Sequence, residues 1–429
     1  MASLVRTGVR DLAIVLAASW LARVAFIAVI GDAHSVDVDY WQGALEYQDE
    51  GRNPYESGVL NWPPLWLEVI VGLDAVAEVT NISFWSALRI YLVLVESALV
   101  VTLYLTLAAV GAPRDAVRRA LLVGIALNPV AVILTAQHGN SDVNVGLLVT
   151  LAIAALLAHR RTRDVVFWLG GCLLLGLGVL AKTVPLVLAP VLTPGARLAS
   201  SAGKVLGWTL FLGPAALGVS VIMALVPRDV LEHVIRYRST RGFFGLSGML
   251  EELTRFDFRS LYGSVFTLAV IVTVVWLLRR LSREEPLPPE RLFLLVAVVL
   301  LAVVAFGPGY GPQYAYWFIP ALVATYVLLD DEWRRLLRIA WAVAGLTYLV
   351  EYAFVPWLGS YANEVVGASA WVTDVSDYLD TPHRLVLFRL PLFLVYLLLI
   401  YEGIARLTER RMGRLQLAYS ERFIEPRIP

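Results

Sequence analysis

The sequence predicts an all-α polytopic membrane protein, and two observations carry this prediction. Of the 429 residues, 59% are hydrophobic and only 16% are charged, whereas a soluble domain carries about 25% charged residues. The apolar residues are also grouped into long stretches, which a bilayer accepts when the backbone is helical. The formal net charge is zero, so the chain lacks the basic surface that nucleic-acid binding requires.

Apolar stretches long enough to cross a bilayer recur eleven or twelve times. A spanning helix needs ~17 to 25 such residues, because each residue rises about 1.5 Å across about 30 Å of hydrocarbon. The predicted spans are 11–30, 84–110, 120–136, 143–158, 165–181, 184–192, 205–226, 261–278, 292–306, 314–329, 339–355 and 385–403. The sixth span contains Pro185 and Pro190, so we expect a half-helix bent against the fifth.

Arginine clusters mark every second connecting segment. They lie before the first span and after the second, fourth, sixth, eighth, tenth and last spans. This is the positive-inside pattern, and it predicts that both termini are cytoplasmic. We therefore expect one domain over residues 1–429, with a long extracytoplasmic loop at 31–82, an interfacial helix at 65–79 within that loop, and a cytoplasmic tail at 404–429.

Two carboxylates, Asp37 and Asp39, follow the first predicted span directly. A carboxylate at the outer membrane surface can act as a general base on a hydroxyl or bind a divalent cation. His34 could add a third ligand. The alternative is an ordinary solvated acidic loop, so the residues leave both metal dependence and the identity of the base open.

A polar segment from Gln137 to Asp142 separates two apolar helices. Its side chains include His138, Asn140 and Asp142, and polar groups at membrane depth normally face protein or a water-filled cavity. A simple hairpin turn is the alternative. Lys182 lies at the outer tip of another helix pair, where its compact charge suits a phosphate oxygen; snorkelling to the interface would also explain it.

Other candidates lie in later outer segments. Arginine's planar fork suits phosphate, and three arginines stand against the positive-inside bias: Arg236, Arg238 and Arg241. Salt bridges to nearby glutamates are the alternative. The segment PGYGPQY offers side chains for a sugar or for the interfacial aromatic belt, namely Tyr310, Gln313 and Tyr314.

Three ionisable residues fall inside predicted spans: Arg23, Glu96 and Glu351. Such groups are functional candidates by default, and mutual pairing is the alternative explanation.

Six motifs occur in one order on the predicted outer face: DVDYW at 37–41, GRNPYE at 51–56, NWPPLW at 61–66, LNPVAVILTAQHGNSD at 127–142, GLGVLAKTVPL at 176–186 and GPQYAYWFIP at 311–320. Together they resemble the membrane glycosyltransferases of the GT-C class. The pattern is most similar to GPI mannosyltransferase I and to bacterial and archaeal polyprenyl-phosphate-mannose-dependent mannosyltransferases. The family's NYPP-like block reads NWPP here, and no motif follows Pro320, so the acceptor stays open.

The resemblance implies an inverting transfer of a hexose, usually mannose, from a polyprenyl-phosphate donor to a hydroxyl of a lipid-linked or glycan acceptor. The implied setting is the outer face of a prokaryotic cell membrane, with membrane lipid as the surroundings. The family's acidic pair maps to Asp37 and Asp39, its asparagine-containing turn to Asn140 and Asp142, and its helix-tip lysine to Lys182. A transporter or flippase of lipid-linked sugars is the rival function, since broken helices and buried charges also occur there.

Overall fold

The computed structural model describes residues 2–32, 34–57, 60, 62–197, 199–225, 246, 250, 254, 259–283, 287–307, 312–354 and 385–408. These parts of the chain contain helices and turns and no β-strand. The α-helices are α1 (Ala2–Ile30), α2 (Val36–Asp49), α3 (Pro64–Thr80), α4 (Phe84–Ala109), α5 (Arg114–Leu121), α6 (Pro129–Ile133), α7 (Asp142–Thr162), α8 (Val165–Ala181), α9 (Ala189–Ala196), α10 (Ser201–Leu225), α11 (Arg259–Leu281), α12 (Pro289–Phe306), α13 (Ile319–Leu328), α14 (Asp331–Leu349) and α15 (Leu390–Thr408).

Six helical segments in the described parts are long and apolar enough to cross a membrane: Gly8–Ile30, Phe84–Ala109, Asp142–Thr162, Tyr262–Leu281, Pro289–Phe306 and Leu387–Thr408. A seventh candidate is the pair Arg114–Ala126 and Pro129–His138, which is bent by 49°. The protein is therefore a multi-pass, all-helical membrane protein. The larger count of eleven or twelve spans stays a prediction.

The bend in the seventh candidate has an identifiable cause at Asn128 and Pro129. Proline has no backbone N–H to continue the helix. The Asn128 side chain instead accepts a hydrogen bond from the Val130 N–H at 3.0 Å and donates one to the Gly124 carbonyl at 3.0 Å. The predicted span 120–136 is thus two helical pieces joined at a capped break.

Two other predicted spans are not continuous α-helices. The segment predicted as a half-helix at 184–192 is a 3₁₀ turn, Val184–Leu188, followed by the eight-residue helix α9. The span predicted at 314–329 is a 3₁₀ turn, Pro312–Trp317, followed by the ten-residue helix α13. Ten residues rise only about 15 Å, too little to cross the hydrocarbon core unaided.

The predicted outer loop at 31–82 is mostly helical, and its helices are held together by packing of tryptophan side chains. The rings of Trp62 and Trp66 lie 5.4 and 5.0 Å from the ring of Trp41, edge to face, and all three side chains are buried. Tyr55 also donates a hydrogen bond to the Trp62 carbonyl at 3.0 Å. This cluster fastens α2 to α3, and it gives aromatic residues from three of the six motifs a packing role.

The three ionisable residues noted inside predicted spans all have partners. Arg23 pairs with Glu96 at 2.5 Å, and both side chains are buried. Arg23 also donates to Thr135 and to the Ala126 carbonyl. Glu351 receives two hydrogen bonds from Arg389, at 2.6 and 2.9 Å. Mutual pairing is therefore observed for Arg23 and Glu96, whereas Glu351 pairs with Arg389.

Replacement of Arg23 by methionine should leave the buried Glu96 carboxylate without its ion-pair partner and destabilise the fold by about 3–5 kcal/mol. We expect a lower midpoint of thermal unfolding for the detergent-solubilised Arg23→Met variant. The double variant Arg23→Met with Glu96→Gln removes both charges and should recover most of that loss. Equal destabilisation of the single and double variants would show that the ion pair itself is not what matters.

Candidate functional site

The candidate site forms where four chain segments meet at one end of the helix bundle. These segments are the first turn of α2, the turn before α7, the end of α8 and the 3₁₀ turn Pro312–Trp317. Six of the predicted site residues converge there: Asp37, His138, Asn140, Asp142, Lys182 and Tyr314.

Asp37 is held by two residues of the turn before α7. Its Oδ2 accepts a hydrogen bond from Asn140 Nδ2 at 2.9 Å and one from His138 Nε2 at 3.2 Å. A carboxylate only accepts hydrogen bonds, so the His138 proton must lie on Nε2. Asp37 Oδ1 accepts no hydrogen bond from any described residue, and the side chain keeps 17% of its surface exposed. One oxygen is thus anchored and the other is open to a ligand.

The surroundings of Asp37 favour its ionised form. Burial alone would raise the pKa of this carboxyl group, but the hydrogen bond and charge of His138, the charge of Lys182 and the Asn140 amide outweigh it. The pKa of Asp37 is therefore below its ordinary value, and the group is a carboxylate at neutral pH.

Asp39 does not join Asp37 in the structure. Both lie in the first turn of α2, and residues two apart on a helix point to different faces. Asp39 instead pairs with His34 Nε2 at 2.8 Å, and its side chain is 59% exposed. In the part of the chain that the structure describes, no group of three or more His, Cys, Asp or Glu residues is placed to hold a metal ion.

Gly139 allows α2 to approach the turn closely enough for these bonds to form. Its φ is +70°, in the left-handed region that favours glycine. A Cβ at this position would lie 2.5 Å from Trp85 Cζ3 and 3.0 Å from Val38 Cγ2. Val38 directly follows Asp37, so glycine here permits the contact between α2 and the turn before α7.

Lys182 lies against a buried carboxylate and two aromatic rings. Its Nζ is 2.6 Å from Asp142 Oδ1, which also accepts a hydrogen bond from Trp317 Nε1 at 2.7 Å. Nζ lies 4.3 Å from the centre of the Tyr314 ring and 5.2 Å from that of Trp317. An ammonium has three N–H donors, so Lys182 can bind an anion as well, although Asp142 already balances its charge.

The remaining predicted residues fall in two groups. Gln313 is partly exposed, and its Oε1 lies 3.5 Å from the Tyr352 hydroxyl, so it borders the site. Four others lie outside the described residues: Arg236, Arg238, Arg241 and Tyr310.

Sequence reasoning missed three residues that shape the site. Ser35 Oγ donates to the His138 carbonyl at 2.7 Å, the Tyr352 ring lies 5.1 Å from the His138 ring, and Trp85 packs against Gly139. A serine before a helix is a common cap and gives no site signal. The contacts of Tyr352 and Trp85 join distant parts of the chain and leave no local pattern.

Several buried polar atoms at the site have no partner among the described residues. They are His138 Nδ1, Ser141 Oγ and Asp142 Oδ2. Leaving such an atom unpaired costs about 1–3 kcal/mol. These three atoms have almost no accessible surface, so their grouping marks a polar interior behind the site.

Comparison with known protein families gives a match. The sequence profile of glycosyltransferase family 87 matches residues 62–307, more than half of the chain. The matched range contains the turn before α7 and Lys182, while Asp37 precedes it and Tyr314 follows it. No curated protein matches the chain.

Substitution of Gly139 by alanine tests the close approach of α2. The positive φ and the clash with Trp85 should destabilise the protein by about 1–3 kcal/mol, read as a lower midpoint of thermal unfolding. Gly43→Ala is the matched control, because Gly43 lies in α2 with open space around its Cα. A Gly139→Ala variant as stable as Gly43→Ala would refute the packing described here.

Proposed function

Since the chain belongs to glycosyltransferase family 87, we propose that it is an inverting hexosyltransferase whose catalytic base is Asp37. The hexose is mannose, the donor is a polyprenyl-phosphate sugar, and the acceptor is a hydroxyl of a lipid-linked or glycan molecule. The whole chain forms one such domain. The observation that carries this proposal is a carboxylate with one oxygen anchored and one oxygen open, beside a lysine at the end of the bundle.

The proposed reaction is a single displacement. Asp37 Oδ1 takes the proton from the acceptor hydroxyl as that oxygen attacks the anomeric carbon of the sugar. The bond from the anomeric carbon to the phosphate oxygen breaks, and polyprenyl phosphate leaves with the electron pair. His138 and Asn140 hold Oδ2, so the base is fixed in orientation before the acceptor binds.

Charge on the leaving phosphate must be stabilised as it develops. Lys182 is the described group best placed for this, with two N–H donors beyond the one directed at Asp142. Arg236, Arg238 and Arg241 are further proposed phosphate ligands on the same predicted face. Tyr314 and Trp317 are buried beside Lys182, where their rings hold the ammonium in place.

The distribution of arginines supports an extracytoplasmic site. The site lies at the start of α7 and the end of α8, whereas basic residues such as Arg160, Arg161 and Arg197 lie near the opposite ends of α7 and α9. Because basic segments stay in the cytoplasm, we propose that the site faces outward and that both termini are cytoplasmic.

The Asp37→Asn variant should lose at least about 100-fold in the rate of sugar transfer, since a general base contributes typically 10²–10⁴-fold. The assay uses purified protein in proteoliposomes with polyprenyl-phosphate mannose and a lipid extract, without any ion gradient, and identifies the product by mass. A transporter would yield no new glycoside under these conditions.

Asp39→Asn is the matched control for Asp37→Asn, because Asp39 is exposed and pairs only with His34 among the described residues. We expect it to keep near-normal turnover. If the two variants lose activity equally, or if only Asp39→Asn does, Asp37 is not the base.

The His138→Phe variant tests how Asp37 is kept ionised. In the wild type the pKa of Asp37 lies below its ordinary value, so activity should persist until the pH is strongly acidic. Without the hydrogen bond and charge of His138, burial raises the pKa of Asp37, and the acid limb of kcat/KM should move to higher pH. His34→Gln should leave that limb in place. An unchanged limb in His138→Phe would contradict this role.

A further inference from the structure

A long apolar cavity lies between α11, α12 and α15, away from the candidate site. Its volume is about 730 Å³, within the ~300–1,000 Å³ range of small-molecule sites. It extends from the beginning of α11 and the end of α12 to the opposite ends of both helices. The lining side chains along its length include Phe266, Val270, Leu277, Val299, Ala302 and Ile404.

Two arginines line one end of this cavity. Arg280 is the penultimate residue of α11, and Arg291 is in the first turn of α12. Arg291 donates a hydrogen bond to the Leu407 carbonyl near the end of α15. The arginines lie at the start of α12, and the candidate site lies beyond its other end, so the two are near opposite membrane surfaces. The positive-inside pattern places this end in the cytoplasm.

The helix α11 makes few contacts with the other described parts of the chain. Only 6% of its most apolar 18-residue window is buried, and it packs mainly against the short helix α9. The cavity separates it from α12 and α15. An occupant of the cavity would therefore contact α11 on one side and the bundle on the other.

We propose that this cavity binds one anionic glycerophospholipid, with an acyl chain along the apolar wall and the phosphate between Arg280 and Arg291. Charge complementarity selects this occupant, because basic pockets between spanning helices on the cytoplasmic side suit anionic head groups. Glu290 also lies at this end, where Arg160 and Arg291 both act on it, so among the described residues here three arginines, Arg160, Arg280 and Arg291, face one carboxylate. The proposal is independent of the catalytic role of Asp37.

Native mass spectrometry of the purified, delipidated full chain tests the proposal with two probes of equal chain length, dioleoyl phosphatidylglycerol and dioleoyl phosphatidylcholine. Each arginine near a membrane surface strengthens anionic-lipid binding about fivefold, so two give about 30-fold. We expect one phosphatidylglycerol to bind about 30-fold more tightly than phosphatidylcholine. The double variant Arg280→Gln with Arg291→Gln should lose that preference while its phosphatidylcholine binding stays unchanged.

The matched control is Arg279→Gln with Arg283→Gln, which removes the same charge from two exposed residues that do not line the cavity. It should keep the preference for phosphatidylglycerol.

Ala269→Trp, on the exposed lining of α11, should fill the cavity and displace the bound lipid. Equal binding of both lipids by the wild type, or equal losses in the two double variants, would overturn the proposal. Displacement of phosphatidylglycerol by polyprenyl phosphate at equimolar amounts would overturn it too, by naming a different occupant.

Discussion

The free-energy cost of burying a charge without a partner determines how the polar side chains in this apolar protein are arranged. An isolated buried ion is too expensive to retain, and each of the four buried carboxylates among the described residues is paired with a base: Glu96 with Arg23, Asp142 with Lys182, Glu351 with Arg389, and Asp11 with Arg118. Two of these pairs reach the 3₁₀ turn Pro312–Trp317, because Tyr316 donates to Glu96 and Trp317 donates to Asp142. The pairs therefore fix the turn that forms one wall of the candidate site.

Asp37 departs from this rule in an informative way. Its partners satisfy one carboxylate oxygen and leave the other open, while the groups around it keep the carboxylate ionised. Stability alone would favour full pairing. Its open oxygen points to proton transfer, which requires a base that is fixed in position and still accessible to the acceptor. The tryptophan cluster around Trp41 and the glycine at 139 serve this arrangement, since they set how closely α2 approaches the turn.

Much of the site could be predicted from the sequence, but its pairings could not. The motifs shared with the GT-C class marked Asp37, Asn140, Asp142 and Lys182 as site residues, and the structure brings these four side chains together. The segment around Asp37 was expected to be loop, so the separation of Asp37 from Asp39 was missed; a helix of 3.6 residues per turn makes it unavoidable.

Helix breaks, some of them at proline, limited how well the number and continuity of the membrane spans could be predicted from the sequence. Hydrophobic stretches identify apolar segments well, but they count a broken helix as one span and a short helix after a turn as another. Pro129 bends one predicted span, and the 314–329 stretch divides into a 3₁₀ turn and α13. Such breaks depend on side-chain hydrogen bonds, such as the one that Asn128 accepts from the Val130 N–H. A hydropathy pattern carries no information about these bonds.

The anomeric configuration of the transferred sugar tests the central claim most directly. A single ionised carboxylate that deprotonates the acceptor requires one displacement at the anomeric carbon, because Asp39 is turned away and supplies no second carboxylate. Proton NMR of the purified glycoside formed from a donor of defined configuration should show the opposite anomer. A product with the donor's own configuration would require a covalent sugar intermediate and would contradict Asp37 as a general base.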